Sequence, residues 1–304
     1  MRKMIPVLTS ALSVSVLSLG SAACSIDVRG EGIVTHEEKR FTVSGQPELN
    51  LRTFDGSVQM KSWDRNEVLV EIERRGQDAK TAEALVVTAT QDGNRITVEA
   101  PEPRDRREGI HIGSWQSPSV NLIVTVPKKL TAADVRTGDG SITADDLTGV
   151  VALSSGDGSI RARHIEGNLR ARTGDGSIVV SDAAGRVEAD SGDGSIELSG
   201  RFEALDVRTG DGTVRLDVFD GSALKTDWSV NTGDGSITVR LPANLDGELD
   251  AHTGDGGVHA SGIDSVVTAE RNDNDDRGSL RGKIGKGGRT LRLRSGDGSI
   301  NITR

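Results

Sequence analysis

Residues 155–178 read SGDGSIRARHIEGNLRARTGDGSI, and this stretch holds one whole period of the chain. Two copies of Gly-Asp-Gly-Ser-Ile bracket a span in which Ile160, Ala162, Ile165, Leu169 and Ala171 are apolar. Arg161, Arg163, Arg170 and Arg172 stand between them. Alternation at period two marks a strand with one buried and one wet face, so each period carries two short strands. The next period keeps the register as Ile178, Val180, Ala183, Val187 and Ala189, and the preceding one as Ile142, Ala144, Leu147, Val151 and Leu153.

Outward from this stretch, the aspartate of the turn recurs at Asp139, Asp157, Asp175, Asp193, Asp211, Asp234, Asp255 and Asp297. The first four intervals are 18 residues, the next two 23 and 21, and the last 42, which reads as two coils around a worn turn at Asp276-Arg277-Gly278. Self-similarity of this length marks a solenoid or array. In the turn, Gly tolerates positive φ and Asp can bond the turn backbone. A second, looser corner carries Gly149, Gly167, Gly185 and Gly200, and the extra residues of longer periods fall near it, at Phe219 to Lys225 and Pro242 to Asp246. The expected fold is all-β: a parallel β-solenoid of about nine coils of 18–23 residues over 131–304. The competitor is an antiparallel meander, which as one open sheet would exceed the usual limit of about ten strands. In a solenoid Ile160, Ile178 and Ile196 are stacked neighbours; in a meander they lie two strands apart.

Residues 45–130 are less regular. Leu49-Leu51, Val58-Met60, Val68-Val70-Ile72, Leu85-Val87, Ile96-Val98 and Leu122-Val124-Val126 read as strands, with turns at Asp55-Gly56 and Asp92-Gly93. Ala79 to Ala84 reads as a short helix and Glu102 to Glu108 as a loop. The region is either an irregular first part of the stack or a small β-sandwich capping it. Composition agrees with a thin core: 34% hydrophobic and 2% aromatic residues, no Tyr, and 38 Gly in 304 residues.

The N-terminus reads as an export leader, residues 1–23: Arg2 and Lys3, an uncharged run to Gly20, then Ser21-Ala22-Ala23. Cys24 is the single cysteine, so neither an internal disulfide nor a thiolate metal site can form. Ser21-Ala22-Ala23-Cys24 resembles the lipobox of bacterial lipoproteins, although Ser21 stands where Leu is usual. That resemblance implies acylation at Cys24 and a membrane partner through the lipid, with 24–44 as the anchor linker. Ser25 after the Cys implies an outer-membrane destination. The alternative is plain cleavage after Ala23 and a soluble periplasmic protein. Without Arg2 and Lys3, 35 Lys and Arg face 46 Asp and Glu, a net charge of −11. Such a surface repels nucleic acid outside any local basic patch, and no small-molecule cofactor is expected.

The recurring Thr-Gly-Asp-Gly-Ser-Ile, entered through Val120-Asn121-Leu122-Ile123-Val124-Thr125-Val126-Pro127, resembles a bacterial β-strand-repeat family of unknown function labelled "putative adhesin". The resemblance covers roughly residues 45 to 304. It implies a non-catalytic envelope scaffold whose partner is an envelope protein or a glycan, and it carries no catalytic residues.

The eight turn aspartates are the candidate site. Stacked at about 4.8 Å, two unit charges repel by roughly 1 kcal/mol in water. Turn N–H groups, outward arginines or calcium would offset this, and calcium is the metal whose oxygen ligands suit Asp139, Asp157, Asp175, Asp193, Asp211, Asp234, Asp255 and Asp297. The other reading is that each Asp caps its own turn. His36, His111, His164, His252 and His259 show no metal spacing. Gly282 to Gly288 departs from a phosphate loop at Leu280 and Gly287, and Asp273 to Gly278 departs from a calcium loop at Arg277. The turn serines have no paired base, so nucleophilic catalysis lacks support. A carbohydrate-active β-helix enzyme remains the alternative class. It would need a pair of carboxylates about 5–10 Å apart, set in a cleft built by long loops that the short extensions here do not provide.

Overall fold

The computed structural model describes residues 24–29, 32–103, 117–262 and 278–304. The expected leader, His111, most of the Glu102 to Glu108 loop and the worn turn at Asp276-Arg277 lie outside them. The first part runs β1 (Cys24–Arg29), β2 (Gly32–Thr42), β3 (Glu48–Thr53), β4 (Val58–Trp63), β5 (Glu67–Gly76), α1 (Ala79–Ala84), β6 (Thr88–Asp92), β7 (Arg95–Ala100) and β8 (Ser119–Pro127). The repeats are β9 (Lys129–Thr137), β10 (Ile142–Ser155), β11 (Ile160–Thr173), β12 (Ile178–Ser191) and β13 (Ile196–Thr209). Shorter strands follow: β14 (Val214–Val218), β15 (Trp228–Thr232), β16 (Ile237–Arg240), β17 (Gly247–Thr253), β18 (Val258–Ser261), β19 (Ser279–Ile284), β20 (Thr290–Ser295) and β21 (Ile300–Thr303).

The period-two pattern becomes burial directly. Along β11 the buried side chains are Ile160, Ala162, Ile165, Leu169, Ala171 and Thr173, and the arginines between them are exposed. Ile142 pairs in parallel with Ile160, Ile160 with Ile178 and Ile178 with Ile196. Residues 18 apart are therefore adjacent, and the chain is a parallel β-solenoid. Its first-strand column runs Leu122, Val58, Ile142, Ile160, Ile178, Ile196, Val214, Ile237, Ile300, Val258. Its second-strand column runs Val98, Leu51, Val135, Leu153, Ala171, Ala189, Val207, Val230, Leu293, Ala251. Stacking buries one continuous core and gives every inner rung a hydrogen-bonding neighbour on both sides.

Both columns depart from chain order at their ends. The rung of β3 and β4 lies between that of β7 and β8 and that of β9 and β10. The C-terminal rung of β20 and β21 likewise lies between β15 and β16 on one side and β17 and β18 on the other. The 42-residue interval is thus not two successive coils: the Asp297 turn slots between the turns of Asp234 and Asp255. Antiparallel strands close the ends, β5, β2 and β1 on β8, β6 on β7, and β19 on β17.

Residues 45–130 are the irregular start of the same stack and not a separate sandwich. Residues 24–44, expected as a linker, hold β1 and β2. Leu85-Val87 is not a strand: Leu85 is the C-cap of α1, its N–H donating to Ala82 O. The helix itself stands where the sequence places it, capped by Asp78, whose carboxylate accepts from Thr81 N. The extra residues near Phe219 and Pro242 form the loops between β14 and β15 and between β16 and β17.

Candidate functional site

The turn column is held by hydroxyls. Thr53, Thr137, Ser155, Thr173, Ser191, Thr209, Thr232, Ser295 and Thr253, the residues just before Gly-Asp-Gly or its variant, are all buried. Each bonds the neighbouring rung: Ser155 Oγ donates to Gly140 O at 2.8 Å, Thr173 Oγ1 to Gly158 O at 2.9 Å and Ser191 Oγ to Gly176 O at 2.9 Å. Several also accept from the glycine three residues on, as Ser155 does from Gly158 N at 3.0 Å. A buried hydroxyl needs such partners, and here they tie one rung to the next.

This reassigns two roles read from the sequence. The glycines inside the repeated Gly-Asp-Gly turns are absent from the positive-φ set, which holds Gly149, Gly167, Gly185 and Gly200 at the other corner. What excludes a side chain at the turn is close approach. A Cβ on Gly176 would lie 2.3 Å from Gly158 O, and the equivalent atom on Gly158 2.1 Å from Gly140 O. The aspartates, in turn, do not fasten the turn. Asp139, Asp157, Asp175, Asp193, Asp211, Asp234, Asp255 and Asp297 are all exposed, one per rung.

The geometry supplies no carboxylate cluster of the kind calcium sites commonly use. The ion takes six to eight oxygens, and among the described residues no three His, Cys, Asp or Glu side chains gather as a metal centre. Since the hydroxyl ladder and the backbone bonds between successive turn glycines fasten the turns, adding a calcium chelator is expected to leave the melting temperature of the purified protein unchanged. A fall reversed by added calcium would show instead that the aspartate column is a metal site.

The outer faces carry ion pairs between rungs, because parallel register sets residue i beside i + 18. Arg163 forks onto Asp145 at 2.8 Å, and Arg170 and Arg172 both bond Glu188, at 2.9 and 2.6 Å. Burial pushes the Glu188 carboxyl up, but the two guanidiniums outweigh it and leave it below the ordinary carboxylate value. At the corner, His164 sits between Asp146 (3.3 Å) and Asp182 (3.4 Å), all three at positive φ. Exposed pairs contribute only about 0–1 kcal/mol each, so these rows set the charge pattern of the face more than its stability. Outward Val150, Ala152 and Ser154 are short, leaving a depression of about 460 Å³ between Asp134 and Arg136 on one side and Arg170 and Arg172 on the other.

At the far end, three guanidiniums meet one carboxylate. Arg294 Nη2 lies 2.5 Å from Asp250 Oδ2, Arg281 Nε 3.4 Å from Oδ1 and Arg292 Nε 3.8 Å from Oδ2. Burial raises the Asp250 carboxyl, yet Arg294 and Arg281 hold it below its usual value. The sequence reading missed this cluster. Its signal is the run 278–294, which has Arg281, Lys283, Lys286, Arg289, Arg292 and Arg294 and no acid. The Gly282 to Gly288 stretch forms the end of β19 and the turn into β20, where Lys286 N donates to Asp246 Oδ1 at 2.8 Å. The only large hydrophobic side chains exposed among the described residues are Val86 and Val150, and Arg65 covers the Trp63 ring at 4.9 Å.

Residues 47–303 match the family model described as Toastrack DUF4097. No curated protein matches the chain. A solved "putative adhesin" of Bacteroides fragilis NCTC 9343 is 12% identical with a TM-score of 0.49, over 88% of this chain and 96% of that one. A "putative adhesin" of Parabacteroides distasonis ATCC 8503 is 15% identical with a TM-score of 0.47, over 90% of this chain and 98% of that one. A "putative lipid binding protein" of the same organism is 13% identical with a TM-score of 0.43, over 88% and 97%.

Proposed function

Since the chain belongs to the Toastrack DUF4097 family, we propose that it is a non-catalytic, adhesin-like scaffold of the cell envelope, lipid-anchored at Cys24 in the outer membrane. Its charged outer faces bind a partner. The observation that carries this reading is the ladder of ion pairs on a stack fastened rung to rung. Asp145, Glu188 and Asp250 are each engaged by arginine, whereas glycoside hydrolysis uses two carboxylates acting on one bond. Regular rungs hold charged side chains at a fixed spacing of about 4.8 Å, which suits recognition of an extended, repeating partner.

The anchor fits the same arrangement. Cys24 opens β1, the outermost strand of the antiparallel extension on β8, so acyl chains there would hold the N-terminal end of the stack at the membrane while the rungs rise away. Among the described residues no helix is long and apolar enough to cross a membrane. Cys24→Ala is expected to move the protein from the membrane fraction to the soluble fraction. A wild-type protein that is already soluble and carries no acyl mass by mass spectrometry would overturn the anchor.

A further inference from the structure

The run 278–294 carries six cations and no acid in a chain whose net charge is −9. Three strands bring most of them to one face. Asp250 on β17 lies opposite Arg281 of β19 on one side and Arg292 of β20 on the other. The two guanidinium-bearing positions are two strand spacings apart, about 10 Å. Between them is a depression of about 440 Å³ lined by Glu248, Asp250, Arg281, Lys283, Thr290 and Arg292.

Four cations, Arg281, Lys283, Arg292 and Arg294, face two carboxylates, Glu248 and Asp250, so positive charge is in excess. Arg294 takes Asp250 at 2.5 Å, while Arg281 and Arg292 stand off at 3.4 and 3.8 Å with side chains 72% and 46% exposed. A guanidinium has five N–H donors, so one shared carboxylate leaves both outer arginines with donors turned to solvent. Arginine forks match carboxylates in bidentate geometry. A volume of this size is that of a small-ligand site.

We propose that this end of the solenoid docks an acidic polysaccharide, whose sugar carboxylates enter the depression between Arg281, Lys283 and Arg292. The inference rests on the binding-scaffold reading and names the partner for one part of that face. A linear polyuronate offers a carboxylate on each sugar, so successive groups can meet the cations on either side of β17. A protein partner would call for aromatic or apolar anchors at the centre of the contact, and the one large apolar residue lining the depression, Leu249, is buried in the core. A planar bilayer does not reach into a concave site. No aromatic residue lines the depression for sugar stacking, so attraction there is electrostatic and is screened by salt.

The test uses the full-length protein in detergent, with immobilised polygalacturonate as the probe. Binding is expected at low ionic strength, falling steeply as salt rises, with none to neutral dextran. Arg281→Gln combined with Lys283→Gln is expected to weaken it by roughly tenfold, each tenfold being about 1.4 kcal/mol. Lys80→Gln, at an exposed position on α1, should bind as the parent does. All variants should melt with the parent, because these side chains are exposed. Undiminished binding by the double variant would overturn the docking site, as would absence of binding or capture of phosphatidylglycerol vesicles in its place. None of these results touches the anchoring test of Cys24, so the scaffold reading stands or falls separately.

Discussion

Ile178→Asp is expected to lower stability by several kcal/mol, a large part of the roughly 5–15 kcal/mol that holds a typical domain folded. Ile178 is fully buried, with Ile160 in register on one side and Ile196 on the other. The substitution removes apolar contacts to both rungs and leaves a carboxylate with no partner in a thin core. Stability in a stack is carried by interfaces between adjacent rungs, so the damage also divides the array into two shorter ones. A urea titration should show an earlier midpoint and a broadened or split transition. Arg161→Asp, one residue from Ile160 but on the exposed side, should stay within about 0.5 kcal/mol of the parent. Equal midpoints for the two variants would refute the in-and-out assignment.

The second large effect is at a residue with no side chain. Gly176→Ala places a Cβ 2.3 Å from Gly158 O and 2.5 Å from Gly158 C, both backbone atoms of the rung beneath. The rungs cannot separate there without breaking the hydroxyl bonds on either side of the turn. A loss of about 1–3 kcal/mol or more is expected, as for overpacked cores. Gly93→Ala is the comparison. That glycine lies in the turn between β6 and β7 at φ 59 with no atom within 4 Å of the new methyl, so only the left-handed backbone cost of about 1–2 kcal/mol applies. If Gly176→Ala melts no lower than Gly93→Ala, close approach is not what keeps glycine in the turn.

These glycines also show what could be read from the chain and what could not. The apolar register was legible because a buried strand face must repeat every second residue, and the spacing of Ile142, Ile160 and Ile178 admits few other arrangements. The agents of the turn were not. Asp and Gly are frequent in turns for reasons internal to a turn, whereas here the constraint comes from the rung below. The buried hydroxyl just before Gly-Asp-Gly was present in every copy, and its meaning depends on a neighbour 15 residues away. Order at the ends was equally hidden. Ile237, Val258 and Ile300 all follow a turn of the same type, so any of the three could sit on any other by local pattern. Their actual order, Ile237, Ile300, Val258, is a property of the assembled stack. The Asp250 cluster escaped for a related reason: its arginines come from two strands flanking a third, and only the assembled sheet places them around one carboxylate.

The swapped rungs at the two ends bear on how the chain closes and how it resists opening. Along the middle, the turn hydroxyls bridge 15 residues. At the N-terminal end the corresponding bond from Thr137 to Gly56 spans 81 residues, and at the C-terminal end that from Ser295 to Gly235 spans 60. Short loops close at small entropic cost and long ones at greater cost, so the central repeats can zip early while each end waits for a distant segment to thread into place. Once home, β3 and β20 each have a parallel partner on both edges. Fraying usually begins at chain ends because a terminal strand has one neighbour to lose; here the chain's outlying rungs must shed two. The solenoid is thus clasped at both ends, and its weakest seams lie at the outermost strands and not at the rungs nearest the ends of the repeat.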